Sequence, residues 1–133
     1  MHDLHMDDFF RDAARILLQL YMAFPRPVLL IAEDISGPDE ADEYGIHSPR
    51  HQACLATMLW LAEEGWLRYN STLRQEGLDQ AVLTSRSIAL LSAAADPGPT
   101  RAHTLAHQLR HGTSDTLRAH MHDLLFAHGA SAS

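Results

Sequence analysis

The chain has 133 residues, 46% of them hydrophobic, and a formal charge of −7 with its histidines neutral. That is enough for one domain with a real core and excludes disorder as the default state. No apolar run approaches the ~20 residues of a membrane-spanning helix; the longest, FPRPVLLIAEDI, is cut by Pro25 and Pro27.

The charge is unevenly placed. Residues 1–48 hold ten of the 17 acids against Arg11, Arg15 and Arg26, and all ten cationic side chains in the chain are arginine. No basic block of the kind a dedicated nucleic-acid binder carries is present. The acidic start, MHDLHMDDFFRD, predicts neither a signal peptide nor an Arg-rich transit peptide. Cys54 is the single cysteine, so no intrachain disulfide can form and a reducing cytoplasm is the expected location.

DDFFRDAARILLQLYMAF predicts a first helix, capped by Asp7 or Asp8 and stopped by Pro25 and Pro27. Phe9, Phe10, Ala13, Ile16, Leu17, Leu20 and Phe24 recur at helical spacing, and Arg11, Asp12, Arg15 and Gln19 fall on the other face. VLLIAEDI, residues 28–35, reads as a short strand, with a helical turn as the alternative. SGPDEADEYG predicts a short acidic helix started by Ser36 and Pro38 and ended by Gly45.

SPRHQACLATMLWLAEEG predicts a long helix, with Ser48 as N-cap, Pro49 at the first helical position and Gly65 just past the end. Cys54, Leu55, Met58, Leu61 and Ala62 form its apolar stripe. Trp66, Leu67 and Tyr69 alternate as in a strand around Arg68. NSTLRQEGLDQ reads as a polar loop, AVLTS as a second strand, and SRSIALLSAAA as a helix capped by Thr84 or Ser85. DPGPT breaks the chain. RAHTLAHQLRHGTSDTLRAHMHDLLFAHG is helical with an interruption near Gly112, and ASAS is a frayed tail.

The order helix, strand, short helix, long helix, strand, loop, strand, helix is that of a winged helix-turn-helix domain, and residues 10–94 resemble that family. LWLAEEGWLRY looks like a recognition helix running through a glycine into a first wing strand. AVLTSRSIALL looks like the second wing strand and following helix of MarR- and PadR-type transcriptional regulators, with Ser87 where those families usually place glycine. The resemblance implies a mainly α fold with a small antiparallel β wing, a domain over residues 8–94, and a linker with a C-terminal helical extension over residues 95–133. It also implies binding of double-stranded DNA in transcriptional regulation. Arg50, His51, Ala53 and Thr57 would face the major groove, with Trp60 near them, and Arg68 and Arg74 would contact phosphate. Cys54, Met58 and Leu61 would pack inward.

A second reading stands beside this one. Glu63 and Glu64 close the long helix with negative charge and the segment before it is acidic. A protein-interaction adaptor that kept the scaffold would use the acidic first third and Trp60 to hold a basic protein partner. The stripe Leu105, Leu109, Leu117, Met121, Leu124 and Leu125 is expected to pair with a second copy in a homodimer, or else to fold back on its own core.

His103, His107 and His111 lie four apart on one shallow stripe. The outer two are ~12 Å apart along the axis, too far to share one tetrahedral ion. His120, His122 and His128, or His2 and His5, would have to complete a site, and a solvated helix face is the simpler reading. Cys54 lies on the apolar stripe, which favours a buried, inert thiol over a redox sensor. No G-x-S-x-G, phosphate-binding glycine loop or HExxH is present, so neither catalysis nor a cofactor is expected.

Overall fold

The computed structural model describes residues 3–95 and 99–127. The final ASAS, His2, His128 and residues 96–98 of the breaker lie outside the described residues. The chain runs through α1 (Leu4–Ala23), β1 (Val28–Ile31), α2 (Ala32–Ser36), α3 (Pro49–Glu63), β2 (Leu67–Arg68), β3 (Ser71–Leu73), β4 (Gly77–Leu83), α4 (Ser85–Leu91), α5 (Arg101–His111), α6 (Ser114–His122) and a π-helical turn, Asp123–Ala127. The fold is mainly helical, with one small antiparallel sheet and a wing-like hairpin. No helix among the described residues is long and apolar enough to cross a membrane.

β4 is the central strand. β1 pairs with one edge, through Val28↔Ala81, Leu30↔Leu78 and Ile31↔Gly77. β2 and β3 pair with the other edge, through Leu67↔Leu83 and Arg68↔Val82 and then Ser71↔Asp79, Thr72↔Leu78 and Leu73↔Gly77. β2 and β3 are therefore two halves of one hairpin arm. The turn closes by a 2.8 Å bond from the Glu76 N–H to the Leu73 carbonyl, with Arg74 at φ 47°. The polar loop expected over residues 70–80 is thus strand for most of its length. The adjacent Ser71 and Thr72, on opposite faces of the ribbon, are both exposed, so no period-two alternation marks β3. Gly77 is required there: a Cβ would lie 1.9 Å from the Leu30 carbonyl oxygen.

Two other expectations are corrected. The strand over residues 28–35 ends at Ile31 and continues as the turn of helix α2. The acidic helix expected in SGPDEADEYG does not form. Asp42 instead accepts hydrogen bonds from the Tyr44 and Ile46 amides at 2.8 and 2.9 Å, and Asp39 accepts from the Ser48 amide at 3.1 Å. These short side chains compete with helical backbone bonding, and residues 37–48 become a wrapped loop.

The core is a single cluster built on α1. Phe10, Ile16, Leu17 and Leu20 meet Leu30, Met58, Leu61, Trp66, Leu78 and Leu83. The C-terminal helices join the same cluster: Leu105, Leu117, Met121, Leu124 and Leu125 are all buried in it, and Leu109 packs against it half-buried. The stripe expected to face a second copy faces this chain's own core. Arg118 pairs with Asp7, and Arg11 lies 3.5 Å from Ser114, so polar contacts flank the α1–α6 seam.

Candidate binding face and the histidine cluster at the head of α3

Helix α3 begins and ends as its sequence predicts. The Ser48 hydroxyl accepts from the His51 amide at 3.2 Å, Pro49 occupies the first turn, and Gly65 takes φ 80° just past the end. Cys54, Met58 and Leu61 point inward. Burial raises the Cys54 thiol to about 12, which keeps it protonated and inert near neutral pH.

The residues expected to face outward divide. Ala53 is exposed on α3, Arg68 is exposed on β2, and Arg74 is exposed at the hairpin tip. His51 and Thr57 are corrected to buried positions, at 1% and 5% exposure. His51 stands three residues before Cys54, and Thr57 three after it, so both extend the inward stripe at helical spacing. Thr57 satisfies its hydroxyl on the Ala53 carbonyl at 2.9 Å. Arg50 is half-buried and donates two hydrogen bonds to Asp12, at 2.6 and 2.7 Å, with Asp8 3.6 Å away. Asp12 is only 1% exposed, although its position on α1 reads as the polar face.

What α3 shows to solvent is Pro49, Gln52, Ala53, Ala56, Leu59 and Glu63. Beside this line lies a groove of ≈ 330 Å³ between α3 and the start of α1, lined by Met6, Phe9, Ala53, Ala56 and Trp60 among others. Trp60 packs edge-on against Phe9 at 5.3 Å and lies 5.9 Å from Phe126.

At the head of α3 the wrapped loop, the helix and the hairpin tip meet in a polar cluster that sequence reasoning did not single out. His47 Nδ1 donates to Asp39 at 2.8 Å and its Nε2 to Glu76 at 3.0 Å. The His51 ring stacks on it, 3.8 Å between centroids and 14° between planes. His51 Nε2 donates to the Gln75 carbonyl at 2.7 Å. Its Nδ1 is buried without a hydrogen-bond partner among the described residues, 4.0 Å from Asp39. Asp39 also accepts from the Ser48 hydroxyl at 2.5 Å. The legible signal was the pair His47 and His51, four residues apart, the same spacing that stands out in the tail.

These contacts set a pH dependence. Hydrogen bonds from Ser48 and then His47 hold the Asp39 carboxyl down at about 2, below its ordinary 3.8. Asp39 and then Glu76 raise His47 above 6.5. The Asp39 contribution is present above pH ~3.8 and is lost as pH falls through the lowered value. The His47 contribution is complete below pH ~6.5 and is lost as pH rises through its raised value. In a chelating buffer, the difference in melting temperature between wild type and His47→Gln is expected to be largest near pH ~5.5 and to shrink toward pH ~9. A difference constant across that range would mean that His47 carries no charge-dependent stability.

No protein-family model, curated protein or solved structure matches the chain.

Proposed function

We propose that the chain is a winged-helix-type module that holds a protein partner on the outer face of α3, rather than reading the major groove with that helix. The observation that carries this is the makeup of the face: Gln52, Ala53, Ala56, Leu59 and Glu63 include no cation, and Arg50 is committed to Asp12. A groove-reading helix needs cations nearby for phosphate, and Gln52, the amide on this face, already donates to the His47 carbonyl at 2.8 Å. An apolar groove floored by aromatic rings suits an amphipathic segment. Asp8, half-exposed beside Arg50, and Glu63, on the same solvent face, favour a segment with basic flanks.

A second reading, contact with DNA through the hairpin alone, is favoured by Arg68 and Arg74, both exposed on the wing-like arm. One experiment separates the two. The full chain is offered random duplex DNA at low and physiological salt, and separately a displayed library of random peptides. The expected result is no retention of DNA and enrichment of amphipathic basic peptides whose affinity falls at least about tenfold in Ala56→Arg, since one buried anchor is worth that much or more. Ala56 is exposed, so this change spares the core. DNA retained at low salt and lost in Arg68→Ala with Arg74→Ala establishes the second reading and overturns the first.

A further inference from the structure

We propose that Asp39, His47 and His51 form a binding site for one divalent transition-metal ion of the zinc type, which clips the wrapped loop to α3 and the hairpin tip. Three features of the cluster support this. Each residue offers one ligand atom, and the three atoms lie within 4.8 Å of one another. A tetrahedral ion with bonds of ~2.0–2.1 Å sets its ligand atoms ~3.3 Å apart. The observed distances to Asp39 Oδ2, 2.8 Å from His47 Nδ1 and 4.0 Å from His51 Nδ1, straddle that value.

The second feature is an unexplained group. His51 Nδ1 is fully buried, has no hydrogen-bond partner among the described residues and lies 4.0 Å from the Asp39 carboxylate. Its Nε2 is fixed as the donor by the Gln75 carbonyl, so the lone pair of the metal-binding, neutral form sits on Nδ1. A buried acceptor left unpaired costs free energy, and a metal ion would use it.

The third feature is the outer ring of contacts. Metal-ligating histidines almost always give their second nitrogen to a carboxylate or a backbone carbonyl. Here His47 Nε2 meets Glu76 and His51 Nε2 meets the Gln75 carbonyl. Asp39 Oδ1 accepts from the Ser48 hydroxyl, and Oδ2 accepts from the Ser48 amide and faces both rings. Once the ion displaces the proton from His47 Nδ1 to solvent, two neutral imidazoles and one carboxylate suit a borderline-soft ion and are a poor set for calcium or magnesium, which take oxygen ligands. Asp39 and Glu76 together offset the charge of a divalent ion. Binding requires the two rings to turn out of their 14° stack so that the lone pairs converge. The site does not depend on what α3 holds.

The test uses the full chain, dialysed against chelator and then titrated with Zn²⁺ by calorimetry and with Co²⁺ by visible absorption. One equivalent is expected to bind through this site, with a melting temperature that rises with Zn²⁺ concentration. His47→Gln and Asp39→Asn are expected to abolish it. Glu76→Gln, at a half-exposed position, is expected to weaken it 10- to 100-fold while the fold stays intact. His107→Gln with His111→Gln, which alter the exposed tail histidines, are expected to leave it unchanged. No binding by the wild-type chain overturns the proposal. So does binding that persists in His47→Gln, or that disappears with the tail pair.

Discussion

Arg50→Ala is expected to lower the free energy of unfolding by about 3 kcal/mol, the lower end of what breaking a buried ion pair costs. The reason lies in its partner. Asp12 sits in the middle of α1 at 1% exposure and receives both guanidinium hydrogen bonds from Arg50. Without them a carboxylate is left buried with its main counter-charge removed. Urea unfolding at neutral pH measures the loss. The double change Asp12→Asn with Arg50→Ala is expected to recover part of it, because the stranded charge is gone. An Arg50→Ala protein of unchanged stability that had lost binding to a selected DNA sequence would instead make Arg50 a base-reading residue.

Met121→Ala is expected to cost about 3 kcal/mol, within the range for removing a long apolar side chain from a closed core. Met121 is fully buried, in the same cluster as Leu17, Leu105 and Leu117. The unfolding midpoint of wild type and variant is expected to be independent of protein concentration, because the C-terminal helices bury their stripe within the chain. A midpoint that rises with concentration, and a Met121→Ala protein that dissociates before it unfolds, would mean that the stripe stabilises a dimer.

Both expectations follow from positions where the sequence misleads. Asp12 shares a face with Arg11 and Arg15 when α1 is drawn alone, and an acid there reads as solvated. Only the arrival of α3, with Arg50 pointing back, makes that face an interface. His51 and Thr57 read as outward because polar residues usually are, yet each lies three residues from Cys54 on the inward stripe. His51 finds its partner elsewhere, in the Gln75 carbonyl of the hairpin, while Thr57 finds one in its own helix, the Ala53 carbonyl one turn back.

The sequence by itself determined the local elements wherever one signal dominated. Ser48, Pro49 and Gly65 bound α3, the apolar period defines α1, and Thr84 caps α4 with its hydroxyl accepting from the Ser87 amide. Ser87, where the resembling families place glycine, is fully buried and donates to the Trp66 carbonyl at 2.5 Å, so the polar atom is satisfied. Apart from the Ser87–Trp66 bond, these outcomes depend on interactions within a turn or two, which the order of residues dictates. Tertiary structure alone decided what the C-terminal stripe covers, that residues 37–48 wrap instead of coiling, and that Asp39, His47, His51 and Glu76 meet. Those contacts reach far along the chain: 29 positions separate His47 from Glu76, and 111 separate Asp7 from Arg118. A carboxylate or an imidazole carries no local mark of the partner it will find. Its role is fixed only when packing removes water from around it and leaves one neighbour within hydrogen-bond reach.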